Sequence, residues 1–430
     1  MDRMNWLHEH FLSCGRVCTD TRKLQKGDMF FALKGPNFDG NEYAAKALEQ
    51  GASIAVVDDP KVVAGDQFVL VAEGLKALQD LATFHRKQFK IPVIGLTGSN
   101  GKTTTKELMQ LVLSGKFRVH ATEGNLNNHI GVPLTLLGIT NETEIAIIEM
   151  GANKQGDIAE LCRIALPTHG LITNIGQAHL EGMGGPEGVL KTKTELFQFL
   201  LETGGRVFLN TRQQVFANMK HRFKDPVFYP ESGSFCPVKF LGADPFVAFS
   251  TADSDVSFTS GLIGEYNFDN IASSICLGKF FGVSMEEAAK AAAGYSPSNM
   301  RSQILEKRSN LIVMDAYNAN PSSMEEALKA FGRLDKRKHK MVIVGDMFEL
   351  GEHEVAAHEK LGEQLQGMKL DKICLTGKLI RHALPKVPKA LYFPDPLSFR
   401  NWLKDSALED YQILIKGSRG MKLEALLDYI

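Results

Sequence analysis

The sequence predicts an α/β protein of three units, the middle one a P-loop-type, mostly parallel sheet with helices on both faces. Three observations carry this expectation. Short apolar runs alternate with helical patterns from about residue 89 to the end. One run ends in a glycine-rich turn bearing a lysine, after which helix-compatible residues begin. The chain has 430 residues, more than one hydrophobic core usually serves. The units read as 1–88, 89–297 and 298–430.

Residues 1–88 read as a small α/β unit. Met29-Phe30-Phe31-Ala32-Leu33 and Ile54-Ala55-Val56-Val57 suit buried strands, with a helix from Tyr43 to Gln50 between them, closed by Gly51. Two polar clusters punctuate the unit, Thr19-Asp20-Thr21-Arg22 and Lys34-Gly35-Pro36-Asn37-Phe38-Asp39-Gly40-Asn41. Turn chemistry accounts for both. The functional alternative is an anionic ligand held by Arg22.

The middle unit turns on the apolar run Val93-Ile94-Gly95-Leu96 and the Thr97-Gly98-Ser99-Asn100-Gly101-Lys102-Thr103-Thr104 that follows. A strand, a tight turn and a helix start gather backbone N–H groups and a helix dipole at one point, which suits a polyphosphate. Gly98 and Gly101 admit close approach, Lys102 adds a mobile positive charge, and Thr103 offers a hydroxyl to Mg²⁺. The full G-x-x-x-x-G-K-[ST] pattern needs Gly at 96, where Leu96 stands.

Two further runs in this unit end in chemistry. Ile145-Ala146-Ile147-Ile148 leads to Glu149-Met150-Gly151, and Leu171-Ile172-Thr173-Asn174-Ile175-Gly176 reads as a strand leading to His179. Ligands of open α/β sheets gather at the carboxyl ends of strands, so Glu149 and His179 are expected in one crevice with Thr103. A carboxylate directly after an apolar strand is costly to bury unless it is paired or on a metal.

In a predicted helix from Glu187 to Leu200, Lys193 shares an apolar face with Val189, Leu196, Phe197 and Leu200, while Lys191 lies opposite. Spacing alone favours a snorkelling stem for Lys193, its ammonium in water. The alternative is a desolvated, more nucleophilic amine. Gly124-Asn125-Leu126-Asn127-Asn128-His129 reads as a loop or a polar patch, and residues 225–260 as an antiparallel edge. Glu265-Tyr266-Asn267-Phe268-Asp269-Asn270 is read as preceding a helix from Ile271 to Phe280.

From 298 a second alternation begins, with strands at 311–314, 341–344, 372–375 and 413–415. Three of them end in polar runs: Asp315-Ala316-Tyr317-Asn318-Ala319-Asn320-Pro321, Gly345-Asp346-Met347-Phe348-Glu349-Leu350-Gly351 and Lys416-Gly417-Ser418-Arg419-Gly420. Any one of these suits a capped turn; three in one unit predict a ligand-facing edge.

Composition is bland by comparison. Net charge is −1 and no basic block occurs, so nucleic acid is not a favoured partner. The first residues lack a signal-peptide core, and no apolar run reaches the ~18 residues of a membrane span. The six cysteines are scattered without a C-x-x-C pair, as expected of reduced thiols in the cytoplasm.

Taken together, Gly98 to Thr104, Glu149-Met150-Gly151-Ala152, Ile172-Thr173-Asn174-Ile175-Gly176 with Ala178-His179-Leu180-Glu181, and Asp315-Ala316-Tyr317-Asn318-Ala319-Asn320-Pro321 resemble the Mur ligases. The likeness runs from about Thr19 to Glu424. It implies a UDP-sugar domain, a central ATPase domain and a C-terminal Rossmann-like domain, in a bacterial cytoplasmic enzyme of peptidoglycan assembly expected to be a monomer. The implied reaction is ATP-driven peptide-bond formation. The run 317–321 and the loop 345–351 resemble the members that add D-alanyl-D-alanine to a UDP-N-acetylmuramoyl-tripeptide.

The resemblance also implies residue roles. Gly98, Ser99, Asn100, Gly101, Lys102, Thr103 and Thr104 would hold the ATP phosphates. Thr103 and Glu149 would bind one Mg²⁺, and His179 with a carbamylated Lys193 a second. Asn267, Asn270, Asn318 and Asn320 would lie near base and ribose, Arg301 near the phosphates, and Asp315 would also belong to the ATP site. Asp20, Thr21, Arg22, Gly35, Asp39 and Gly40 match the UDP end. Position 266, often His in the family, is Tyr266 here. Sister ligases, which add a third residue or glutamate to folate, share the phosphate loop, Glu, His and Lys. A P-loop kinase or motor would need a Walker-B-type Asp where Glu149 stands. A non-catalytic module would be expected to lack Lys102, Glu149 or His179, and all three are present.

Overall fold

The computed structural model describes residues 3–177, 179–251 and 256–430, so Ala178 of the histidine motif lies outside the described residues. Four sheets of three or more strands organise it. The first has four parallel strands in the order 17–18, 29–31, 54–57, 68–70. The second has six parallel strands, in the order Val227–Tyr229, Arg206–Asn210, His169–Ile172, Val93–Thr97, Ile145–Glu149, Val119–Ala121. A three-stranded antiparallel sheet (238–263) follows. The last has six strands, in the order Gln303–Lys307, Asn310–Asp315, Tyr411–Lys416, His339–Gly345, Lys372–Thr376, Leu391–Phe393. Its first pair is antiparallel and the rest are parallel.

The phosphate-loop strand sits inside the central sheet, and all five of its residues are buried. That is why it reads as an unbroken apolar run rather than an alternation. Its two faces serve different cores. Val93, with Ala146 and Ile148 of the neighbouring strand, packs against Leu136, Leu161 and Leu196. Ile94 and Leu96, with Ile145 and Ile147, pack against Leu108, Met109, Ile271 and Ile275. Helices therefore cover both faces. The helix Gly74–Lys87 puts Leu78, Leu81 and Ala82 into the first of these cores. Burial of each leucine contributes about 1.5–3 kcal/mol.

Four expectations are corrected. The strand toward His179 stops at Ile172: Thr173 N still donates to Thr97 O and the Asn174 carbonyl accepts from Ser99 N, but the chain there bends to the phosphate loop, where the Thr173 and Asn174 side chains donate to Asn100 O. Residues 225–260 are not one antiparallel edge: Val227–Tyr229 adds a parallel strand to the central sheet before the separate three-stranded sheet begins. Asn267 and Asn270 lie within the helix Tyr266–Phe280, not before it. Lys193 does not snorkel, for only 1% of its surface is exposed, in the helix Pro186–Thr203. The edge strands 303–307 and 391–393 are additions that the apolar-run reading missed, since their residues are mostly half-exposed.

All six cysteines are free; five are buried and Cys14 is half-buried. Burial pushes the Cys374 thiol up to about 12 and those of Cys162 and Cys276 up as well. Among the described residues no helix is long and apolar enough to cross a membrane.

Candidate active site

The helix Lys102–Ser114 starts at Gly101, whose φ of 78° is left-handed, and no side chain caps it. Its first N–H groups are thus left for an anion. Both loop glycines are sterically required. A Cβ on Gly98 would lie 1.9 Å from Thr173 Oγ1, and one on Gly101 2.6 Å from Asn270 Oδ1. Asn174 anchors the turn: its carbonyl accepts from Ser99 N (3.0 Å) and its Oδ1 from Asn100 N (2.9 Å). Lys102 Nζ donates to the carbonyls of Gly98 (2.7 Å) and Ser99 (3.3 Å). Burial pushes its ammonium below the ordinary range; Glu149 opposes this and Arg301 adds to it.

Glu149 ends its strand with 1% of its surface exposed. Thr103 Oγ1 donates to its Oε2 (2.9 Å) and Asn127 Nδ2 to its Oε1 (2.7 Å). Its backbone N–H donates to Thr122 Oγ1 (3.0 Å). The carboxylate is therefore fixed by neutral donors, leaving its charge to be met from the cavity. His179 caps the short helix Leu180–Met183 with φ 53°, and its Nδ1 pairs with Glu349 of the last sheet's unit. That contact holds the Glu349 carboxyl below its ordinary range.

A cavity of about 520 Å³ joins these groups. Its lining brings together Ser99 to Thr104, Glu149, His179, Asn267, Asn270, Arg301, Asp315, Asn318 and Asn320. Gly98, Lys193 and the six residues expected at the UDP end do not line it. The helix asparagines are largely engaged already: Asn267 Nδ2 donates to Ile263 O (2.8 Å), and Asn270 Nδ2 to Asn267 Oδ1 (2.8 Å). The unpredicted Tyr266 hydroxyl contacts Ser302 Oγ (2.9 Å). Arg301 stacks on the Tyr317 ring, 3.7 Å from its centroid. Asp315 pairs with Lys416, which is 1% exposed, at 2.5 Å. Asn320 caps the helix Pro321–Arg333 and its Nδ2 reaches Asn100 Oδ1 (2.8 Å), a bond from the last unit to the phosphate loop.

Sequence reasoning missed Asn127 and Glu349 as partners of Glu149 and His179. Only their places in the polar runs 124–129 and 345–351 pointed toward them. Lys193 lies off the cavity. Burial, helped by the charge of Lys102, holds its amine well below the ordinary lysine range.

At the other end of the chain, Arg22 turns back on Asp20 with Nη2–Oδ2 at 2.8 Å. Asp20 is held down to about 2 by that bond, and its carboxylate also accepts from Arg22 N (3.0 Å). Thr21 opens the 3₁₀ turn that Asp20 caps. Asp39 caps the turn Gly40–Tyr43, where a Cβ on Gly40 would meet Leu33 O at 2.5 Å. Gly35 sits under the Phe38 ring of a two-strand hairpin.

Three family models match the chain: a Mur ligase family catalytic domain over 15–86, a Mur ligase middle domain over 96–278, and a Mur ligase glutamate ligase domain over 300–419. The UDP-N-acetylmuramoyl-tripeptide–D-alanyl-D-alanine ligase of Bacillus subtilis (strain 168) is 34% identical, covering 96% of this chain and 92% of the relative. The crystal structure of MurF from Acinetobacter baumannii superposes with a TM-score of 0.85 at 30% identity, covering 96% of this chain and 92% of that one. MurF from Thermotoga maritima, solved in complex with ADP, gives 0.84 at 30% identity and 96% coverage of both chains.

Proposed function

The chain belongs to the Mur ligase family, and on that premise we propose that it joins D-alanyl-D-alanine to a UDP-N-acetylmuramoyl-tripeptide, driven by ATP. The product is the pentapeptide, made for peptidoglycan in the bacterial cytoplasm. The observation that carries the reading is the buried Glu149 carboxylate beside the phosphate loop, in a cavity to which the last unit adds Arg301, Asp315 and Asn320. The near-full-length likeness to ligases named for this reaction supports the substrates.

A carboxylate is a poor electrophile. The γ-phosphoryl group of ATP therefore passes to the tripeptide's terminal carboxylate, giving an acyl phosphate and ADP. The amine of D-alanyl-D-alanine loses a proton and attacks the acyl carbon. The tetrahedral intermediate then collapses, the C–O bond to phosphate breaks, and an amide remains. The helix start at Lys102 receives phosphate oxygens, and Lys102 exchanges the Gly98 and Ser99 carbonyls for them.

Thr103 and Glu149 are read as the holders of one Mg²⁺, and His179 of a second. Among the described residues no three His, Cys, Asp or Glu side chains converge as a ready-made metal centre. That fits magnesium, which takes one or two carboxylates and fills its shell with water and substrate phosphates. Bound there, magnesium offsets the charge of the triphosphate and the incoming carboxylate. Lys193 is read as a carbamate. Support for this is its burial and lowered amine basicity, since CO₂ reacts with a neutral amine. The carbamate would extend a side chain that stops short of the cavity lining. Lys193→Ala with full activity in the absence of added acetate would remove this reading, whereas lost activity restored by acetate would support it.

Residues 1–88 are read as the UDP-binding unit, with Asp20, Thr21, Arg22, Gly35, Asp39 and Gly40 at the ligand. Residues 89–297 are read as the ATPase unit and 298–430 as the unit that brings the acceptor, in a monomer. The test is phosphate release from Mg·ATP and UDP-muramoyl-tripeptide, with and without D-alanyl-D-alanine. Release that needs both substrates, with the pentapeptide seen by mass, is expected. Release with a dipeptide acceptor and a free amino acid, or with folate and glutamate, would reassign the chain to a sister ligase.

A further inference from the structure

The loop 345–351 is anchored at nearly every residue except Glu349. Asp346 accepts from the backbone N–H groups of Lys378 (3.0 Å), Leu379 (3.0 Å) and Ile380 (2.8 Å). Met347 N donates to Nε2 of the buried His358 (3.2 Å), whose Nδ1 contacts Glu354 O (2.8 Å). Phe348 N donates to Ser418 Oγ (3.1 Å), and Leu350 is buried. Glu349 and Phe348 are the loop's exposed members, and of the two only Glu349 carries a charge. Its φ of 63° is left-handed, which a non-glycine residue adopts at a cost.

Glu349 is aimed across the seam at Nδ1 of His179, which is itself left-handed. The seam is built close on both sides. A Cβ on Gly351 would lie 3.0 Å from Glu181 Cβ, and one on Gly176 2.8 Å from Ser322 Oγ. Gln177 N donates to that same Ser322 hydroxyl (3.0 Å). These contacts flank His179 on both sides in the chain, and Glu349 is the residue across the seam that meets its ring.

We propose that Glu349 is a positioning residue for the reaction: it takes the Nδ1 side of His179 and so turns Nε2 toward the cavity. The inference rests on the reading of His179 as a metal-side ligand and adds where that ligand's orientation comes from. A histidine that ligates through one nitrogen is ordinarily oriented by a carboxylate or carbonyl on the other, and losing that partner costs about 10- to 100-fold in metal affinity. Here the carboxylate belongs to a different unit of the chain. The histidine is therefore set only while residues 298–430 sit on the central sheet, which ties readiness of the metal side to docking of the unit that brings the acceptor.

The test is binding of Mn²⁺, as a spin probe, to the full-length protein with ADP, for wild type, Glu349→Gln, Glu349→Asp, His179→Ala and the Glu349→Gln/His179→Ala double variant. Glu349→Gln is expected to weaken Mn²⁺ by about tenfold, Glu349→Asp to recover part of that, and the double variant to match His179→Ala alone. Unchanged Mn²⁺ affinity in Glu349→Gln would overturn the proposal. So would a Glu349→Gln loss that persists at full size in the His179→Ala background. Phosphate release by the wild type, run alongside, judges the ligase reaction separately: a wild type that needs no D-alanyl-D-alanine would count against the reaction and leave the Mn²⁺ comparison standing.

Discussion

The two polar ends of this molecule are built in opposite ways. Glu149 is 1% exposed and tied to Thr103, Asn127 and Thr122, so its position is set by three separate elements. The side chain of Arg22 is 87% exposed and tied only to Asp20, two residues back. Burial of a charge forces every neighbour into place, because an unmatched lone pair there is costly. An exposed pair costs little to form or to break. The central site is therefore organised before any ligand arrives. In the N-terminal cluster Arg22 and Asp20 are tied to each other, so a ligand taken up by either would have to replace that pairing.

Substitutions should separate the two ends by size of effect. Glu149→Gln keeps the shape and removes the charge, and kcat should fall on the order of a thousandfold, several kcal/mol of transition-state charge stabilisation. Phosphate release measures it, and retention of more than a tenth of wild-type kcat would break the comparison at its strongest point. Asn127→Ala leaves the charge but frees one carboxylate oxygen, and a loss of about 10- to 100-fold is expected in the same assay. Arg22→Ala should raise KM for the UDP substrate about tenfold, a charged hydrogen bond's worth, with kcat unchanged and Tm unmoved. A drop in kcat there would mean that the N-terminal end reaches the chemistry.

Acid sharpens the same contrast. Burial, with the Arg206 charge, lowers His169 to about 4 from 6.5. The unfolded chain then binds a proton that the folded chain refuses, so stability is intact above about pH 6.5 and falls as pH drops toward about 4. His8 and His85, which share a 2.9 Å contact under the N-terminal helix, are lowered by burial too and act in the same direction. Asp20, lowered from 3.8 to about 2 by its exposed Arg22 partner, adds only a small, solvent-screened stability, present above pH 3.8 and lost as pH falls through about 2. Thermal melts from pH 7.5 to 4 should therefore show Tm falling before the exposed carboxylate titrates. A flat Tm across pH 6.5 to 4.5 would argue against it.

Much of the α/β architecture was legible because its parallel strands are buried on both faces and read as unbroken apolar runs, as at 93–97 and 145–149. The phosphate loop was legible because Gly98 and Gly101 cannot be replaced where Thr173 and Asn270 approach. What stayed hidden was pairing between elements distant in the chain. Nothing local says that Asn127 meets Glu149, or that Glu349 meets His179, because each contact closes only when two elements pack. Lys193 misled for a related reason. A lysine on an apolar stripe usually escapes to water, but the helix Pro186–Thr203 is covered around that position. Edge strands escaped notice because their half-exposed residues lack the apolar run that marks the interior.

The six free thiols have a practical consequence. Five are sealed in the cores, and the sixth, Cys14, is half-buried with a thiol that burial makes harder to ionise. Maleimides attack thiolates at the surface, so this protein resists labelling as it stands. A cysteine installed at exposed Leu201 and another at exposed Leu391 would then be the preferred attachment points for a dye pair. Fluorescence transfer between them would follow the relative placement of the central and final sheets through a catalytic cycle, with the native cysteines left in place.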